Sequence, residues 1–209
     1  MTECLPIPPV AFRELVGRPT VEEFESDYGL PLLDELPASA WRSYLDFGCG
    51  CGRSARRMLM SGPRPEKYVG IDLHSGMVEW CQRNLLATGF RFEHHDVFNP
   101  GLNPDRTLPW VAPLPVDDAS VSLVEAWSVF THLIEGQVEY YLDEIDRALA
   151  PDGLLYATFF LFDKTSFPFM QENQNALYVN PLDPTNAVVY DRTFLLRAMA
   201  RRGLRLVRA

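Results

Sequence analysis

The 209-residue sequence predicts a single α/β domain, a parallel sheet with helices over both faces. Three observations predict it. Short apolar runs alternate with segments of helical period. The first apolar run ends in a cluster of glycines, "YLDFGCGCGR", from Tyr44 to Arg53. Two later runs, "YVGIDL" and "FRFEHHDV", carry an acid at the tip. Parallel sheets bind ligands at the carboxyl ends of their strands, where those glycines and acids fall.

The elements follow in order. Residues 1–40 read as an N-terminal helical cap: Thr20 and Glu23 form a capping box, and Gly29 is the stop. "SYLDF" is strand one, and "RSARRMLMSGP" is a helix stopped by Gly62 and Pro63. "YVGIDL" is strand two. "SGMVEWCQRNLLATG" is a helix opened by Ser75 and closed by Gly89. "FRFEHHDV" is strand three, followed by an irregular stretch rich in Pro, Gly and Asn. "VSLVEAW" is strand four. The next helix, "GQVEYYLDEIDRALAPDG", puts Val138, Tyr141, Leu142, Ile145 and Leu149 on one face. "LLYATFFLF" is strand five, and 163–190 read as an irregular insertion on the substrate side, a lid. A last helix, "RTFLLRAMARR", is capped by Asp191 and Gly203, and "LRLVR" is a short final strand.

Composition narrows the function. Hydrophobic residues are 47% and charged residues 22%, the balance of a soluble globular protein. The formal net charge of -9, from 28 acids and 19 bases, argues against a broad grip on nucleic acid or an anionic membrane. "LLYATFFLF" is too short to span a bilayer, and the start lacks the pattern of a secretory signal. Cys4, Cys49, Cys51 and Cys81 show no secreted-scaffold spacing, which predicts reduced thiols and a cytoplasmic protein.

Three glycines after a strand let a ligand lie against bare backbone at a helix start. The spacing does not by itself separate a dinucleotide from an adenosyl compound. The G-x-G-x-x-G register started at Gly48 meets Arg53, and started at Gly50 it meets Gly52 and Ala55. Asp72, 20 residues after Gly52, is placed to accept from a ribose diol, and Asp96 from an adenine amino group. Each acid alone reads as a cap or turn residue; together with the glycines they read as a cofactor site. Cys49 and Cys51 lack the second pair of a zinc site and read as small buried filler. His94 and His95 are consecutive on a strand and point to opposite faces, a poor chelate, so no metal is expected. His74 reads as lining the adenosine edge or as solvated.

On these segments the chain resembles the class I S-adenosylmethionine-dependent methyltransferases over roughly residues 40–162, and "SVFTHL" and "LAPDGLLYATFF" resemble one bacterial subgroup. The resemblance implies a Rossmann-like, doubly wound, mostly parallel sheet of order 3-2-1-4-5. In such a sheet 41–209 form the cofactor-binding domain; the family core ends in an antiparallel strand pair, and this sequence departs from it in that the pair is short or incomplete. It implies S-adenosylmethionine as cofactor and S-adenosylhomocysteine as product. Asp46 and Gly48 would lie by the methionine portion, with Cys49, Gly50, Gly52 and Arg53 in the same loop. Asp72 with Leu73 would hold the ribose, Asp96 with Val97 the adenine, and Ser128 would lie near the sulfonium.

Methyl transfer from a sulfonium is an in-line displacement in which positioning dominates. A hydroxyl acceptor also needs a general base, and His132 in "SVFTHL" is the candidate, beside the alternative that it stabilises the next helix. The acceptor is expected to be a small molecule or glycan-type compound, attacked by an oxygen atom. Its pocket is expected from the cap and residues 163–190, whose aromatics Phe24, Tyr28, Phe167, Phe169, Tyr178 and Tyr190 read either as walls for the acceptor or as packing between lid and sheet. A non-catalytic adenosyl-binding module stays open as the rival. A nicotinamide oxidoreductase would need a Ser/Tyr/Lys set that strands four and five lack. An unpaired edge at "LRLVRA" leaves a homodimer open.

Overall fold

The computed structural model describes residues 5–26, 36–167 and 169–208. Cys4, Tyr28 and the expected stop at Gly29 lie outside them. Five strands make the main sheet: β1 (Ser43–Phe47), β2 (Lys67–Asp72), β3 (Phe90–His94), β4 (Val121–Ala126) and β5 (Leu149–Ala157). Their order is β3-β2-β1-β4-β5, and every pairing is parallel. The predicted doubly wound sheet is therefore the observed one.

The strand period sorts side chains onto two cores. Leu45, Phe47, Ile71, Val124 and Ala126 point to one face. There they pack on Val138, Tyr141, Leu142 and Ile145 of α5 (Glu135–Ala148), and on Leu195 and Ala198 of α6 (Arg192–Ala200). Tyr44, Tyr68, Phe92 and Leu123 point to the other face. Their partners are Ala55 and Met58 of α3 (Arg53–Met60), Val78 and Cys81 of α4 (Ser75–Asn84), and Leu85. These faces drive the fold, since each buried large apolar side chain contributes about 1.5–3 kcal/mol.

Two short helices, α1 (Val10–Leu15) and α2 (Val21–Glu25), precede the sheet. The Thr20–Glu23 capping box forms, with Oγ1 of Thr20 accepting from Glu23 N at 3.1 Å and Glu23 Oε2 from Thr20 N at 3.0 Å. Phe24 is buried against Cys51 and Met77, which fixes this segment to the glycine loop.

Three boundaries differ from expectation. Helix α4 is capped by His74, whose Nδ1 accepts from Met77 N, rather than by Ser75, and it ends at Asn84, short of Gly89. The run read as strand five breaks after Ala157, and 163–190 are not wholly irregular: β6 (Phe160–Phe162), β7 (Ala176–Tyr178) and β8 (Val188–Asp191) form a second sheet of order β6-β8-β7. "LRLVR" is not a strand: only Leu204 packs on the core, and Leu206 and Val207 are exposed. Strand β6 follows two residues after β5 and collects β8 and β7 locally, at low loop-closure cost.

Candidate functional site

A cleft of about 660 Å³ lies over the carboxyl tips of β1, β2 and β4 and the chain after β3. That volume is typical of small-molecule sites. Asp46, Gly48, Cys49, Gly50, Arg53, Asp72, Leu73, Val97, Ser128 and His132 all line it.

The glycine loop is held open by its own amides. Gly48 N and Cys49 N donate to Ile71 O at 2.8 and 2.9 Å, and Gly50 N donates to Asp72 Oδ2 at 2.8 Å. His74 N donates to the other Asp72 oxygen at 2.9 Å. These amides therefore bind the loop to β2 instead of standing free at the helix start. Each Asp72 oxygen keeps a lone pair for a ligand hydroxyl. Burial pushes the Asp72 carboxyl above its ordinary value, and the two backbone donors oppose that shift.

Gly52 and Asp96 are not brought into the cleft. Gly52 has φ +78°, and a Cβ there would collide with Leu85 Cδ1, so this glycine serves the packing of α3 on α4. Asp96 is exposed and accepts from Asn103 Nδ2 at 2.9 Å, which turns its carboxylate away. Val97 and Phe98 line the cleft beside it. Of the aromatics expected around the acceptor, Phe24 and Tyr190 are buried in the cores, while Phe167, Phe169 and Tyr178 are exposed. None of these lines the cleft; Phe47, Phe98, Trp127 and Tyr141 do. Phe24 and Tyr190 are turned to core packing, and Phe167, Phe169 and Tyr178 to solvent.

The thiols are packing groups. Hydrogen bonding to Cys81 and burial push Cys49 well up, and burial pushes Cys51 up to about 12, so neither is a thiolate near neutral pH. Among the described residues no group of three or more His, Cys, Asp and Glu is placed to hold a metal ion. No helix among them is long and apolar enough to cross a membrane.

At the other end of the cleft Ser128 sits at φ +56°, a strained backbone for a serine. Thr158 Oγ1 accepts from Ser128 N at 2.8 Å and holds it there. His132 Nδ1 lies 3.1 Å from the carbonyl of Thr185. A carbonyl only accepts, so Nδ1 carries the proton and Nε2 keeps the lone pair. Asp183, Thr185 and Asn186, from the segment after β7, line this end too.

Two residues escaped the sequence reading. His95 is buried, with Nε2 2.8 Å from the Tyr141 hydroxyl, and burial pushes it down to about 4, so it is a neutral wall of the cleft at pH 7. Glu125 lies in register with Asp46 across β1 and β4. The two carboxylates are 1% and 3% exposed. Glu125 accepts from the Tyr44 hydroxyl and, at 3.1 Å, from Ser54 Oγ; Asp46 accepts from the Tyr68 hydroxyl. Burial pushes both acids up, and for Asp46 the neighbouring Glu125 adds to it. An acid inside the apolar run "VSLVEAW" was the available signal for Glu125.

A five-stranded parallel sheet with a glycine loop and an acid at the next strand tip defines a nucleotide-type cofactor-binding α/β protein. Comparison with known proteins names the family. Residues 45–153 match the family model described as a methyltransferase domain, and the chain belongs to that family. The structure resembles a putative methyltransferase of Haloferax volcanii, solved in complex with the Trm112 methyltransferase activator. That match has TM-score 0.64 and 19% identity over 95% of this chain and 76% of the other. It also resembles a SAM-dependent methyltransferase of Leishmania major, with TM-score 0.63 and 14% identity over 96% and 70% of the two chains. In sequence, 45 residues are 38% identical to an uncharacterized methyltransferase of Emericella nidulans. That stretch is 22% of this chain and spans 16% of the relative's length.

Proposed function

We propose that this protein transfers a methyl group from S-adenosylmethionine, by in-line displacement, to an oxygen atom of an uncharged small-molecule or glycan-type acceptor. The family supports the cofactor, and the cleft fits it. Asp72, fixed by Gly50 N and His74 N, keeps lone pairs for a ribose diol. Val97 and Phe98 offer an apolar wall to adenine, with Leu73 beside the ribose. Asp46, Gly48 and Cys49 would face the amino-acid end. Bound there, the cofactor supplies a methyl group already activated by its sulfonium charge.

The observation that carries the reading of the acceptor is His132. With Nδ1–H committed to Thr185, its Nε2 is the nitrogen able to take a proton from an acceptor hydroxyl. The same end is lined by Ser128, Asn99, Thr185 and Asn186, neutral hydrogen-bonding groups suited to hydroxyls, and by Asp183, whose Oδ1 accepts from Thr185 Oγ1 at 2.9 Å. Among the described lining residues the guanidinium groups are those of Arg18 and Arg53, both close in sequence to contacts of the glycine loop. The Asp183 carboxylate at the His132 end would repel an anionic acceptor. In this reading 163–190 form the acceptor-side lid and residues 1–40 the cap over the loop.

Calorimetry with S-adenosylhomocysteine and NAD tests the cofactor. Transfer of labelled methyl from S-adenosylmethionine to panels of sugars, other alcohols and amines tests the acceptor. The expected result is adenosyl binding and labelling of a hydroxyl compound, lost in His132→Ala. Binding of NAD alone would overturn the cofactor. Adenosyl binding with no labelled product on any panel would leave a binding module instead of an enzyme.

A further inference from the structure

We infer that Glu125 is a specificity residue of the cofactor cleft: paired with Asp46, it gives the β1–β4 end of the cleft a two-carboxylate floor that takes the ammonium group of the cofactor's amino-acid end. This rests on the adenosyl reading above and names a residue and a chemical preference that reading does not contain.

The position of Glu125 is the first argument. It lies on a strand whose other residues are apolar apart from Ser122, and a leucine or tyrosine would complete the same core at no electrostatic cost. The pairing Asp46↔Glu125 puts two carboxylates side by side on the same face of adjacent strands. Both line the cleft. Among the described residues neither has an ion-pair partner: their hydrogen bonds come from the hydroxyls of Tyr44, Ser54 and Tyr68. The Arg53 charge acts on Glu125 only from beyond ion-pair distance, while Arg53 itself donates to Phe24 O and Ser26 O. Two like charges in a low-dielectric floor with neutral donors call for a proton or a cation from the cleft.

Strand order decides which cation. With the ribose held by Asp72 on β2 and the base beside the chain after β3, a ligand crossing the tips reaches β1 and then β4 last. The last part of an adenosyl amino acid is its amino-acid end. A sulfonium has no N–H or O–H to donate, whereas an ammonium has three donors for carboxylate lone pairs. The tyrosine and serine hydroxyls hold the two acids in place for such a donor before the ligand arrives.

The test is a calorimetric cycle on the full chain. S-adenosylhomocysteine carries the ammonium, its desamino analogue lacks only that group, and 5′-methylthioadenosine lacks the whole amino-acid end. For the wild type, the desamino analogue should bind about tenfold or more weakly than S-adenosylhomocysteine, the scale of one charge-assisted hydrogen bond. Glu125→Gln should weaken S-adenosylhomocysteine by a similar factor and leave 5′-methylthioadenosine within about twofold, as expected for a local contact. Equal losses for all three ligands, or no loss for S-adenosylhomocysteine, would overturn the inference while leaving the adenosyl reading intact. Equal wild-type affinity for S-adenosylhomocysteine and its desamino analogue would overturn it without any variant. A wild type that binds none of the three compounds would overturn the cofactor reading and this inference together.

Discussion

The amide of Gly50 donates to Oδ2 of Asp72 across 2.8 Å, so the residue proposed to hold the ribose also holds the glycine loop. The loop and the acid are one unit. In Asp72→Asn, Gly50 N and His74 N would still need two acceptors, and the amide offers one oxygen. The variant should bind S-adenosylhomocysteine at least about tenfold more weakly, and its Gly50 amide should exchange faster with solvent deuterium. Weaker binding with unchanged Gly50 exchange would separate the two roles and contradict the coupling.

The loop glycines are expected to differ in stability cost. Gly17 and Gly52 share a left-handed backbone, at φ +68° and +78°. A Cβ at Gly17 meets nothing within 4 Å, while one at Gly52 strikes Leu85 and comes 2.9 Å from Cys81 Sγ. Gly17→Ala should therefore cost about 1 kcal/mol of conformational strain. Gly52→Ala should add an overpacking term of about 1–3 kcal/mol. Urea unfolding of both variants measures the difference, and equal costs would refute the packing role of Gly52.

Much of this was legible in the sequence because strand period and strand tips carry it. "SYLDF" is β1 residue for residue, and the glycines and Asp72 fall where a parallel sheet presents them. The rest depended on which way a side chain turns. Asp96 sits one residue pair past β3, where the backbone leaves the sheet, and Asn103 captures it. The lid aromatics carry a hydrophobic signal that cannot say whether they meet the cleft, the core or solvent. β8 is a short apolar run flanked by Asn, Pro and Asp, and its pairing with β6 is set by tertiary proximity. Glu125 is hidden by its neighbours: the apolar run announces a buried strand, and nothing in its period says that the acid within it meets Asp46 at the cleft.

Ser128 stores strain at the end of the cleft proposed to take the acceptor. Its φ of +56° favours glycine, and Thr158 Oγ1 pins its amide. Ser128→Gly should raise stability, by no more than about 1 kcal/mol, while Ser128→Val should lower it by more. Thermal unfolding of the two variants tests this; a destabilised glycine variant would show that the hydroxyl, 3.4 Å from Thr131 Oγ1, outweighs the backbone strain.

The acid pair should trade stability for binding. Burial raises the Glu125 carboxyl in the fold above its unfolded value, so the stability it contributes is present at low pH and is lost as pH rises through the folded value. Glu125→Gln keeps the shape and an acceptor for Tyr44 or Ser54 without that loss. The ligand-free variant should gain stability on the wild type as pH rises. A melting difference that shrinks as pH rises would contradict the shift.

His95 has the opposite sign. Burial holds it at about 4 in the fold, below the ordinary histidine value, with His94 adding to the shift and Glu144 opposing it. The unfolded chain then binds the extra proton first, so stability is complete above about pH 6.5 and falls as pH drops toward 4. A shift of this size corresponds to on the order of 3 kcal/mol across that window. His95→Gln retains a group able to hydrogen-bond Tyr141 but does not titrate, so its unfolding free energy should fall less steeply between pH 6.5 and 4. Because Asp46 and Glu125 are present in both proteins, the difference between the two pH curves isolates the histidine. Parallel curves would mean that His95 takes up its proton in the fold as readily as in the unfolded chain, and would refute the downward shift.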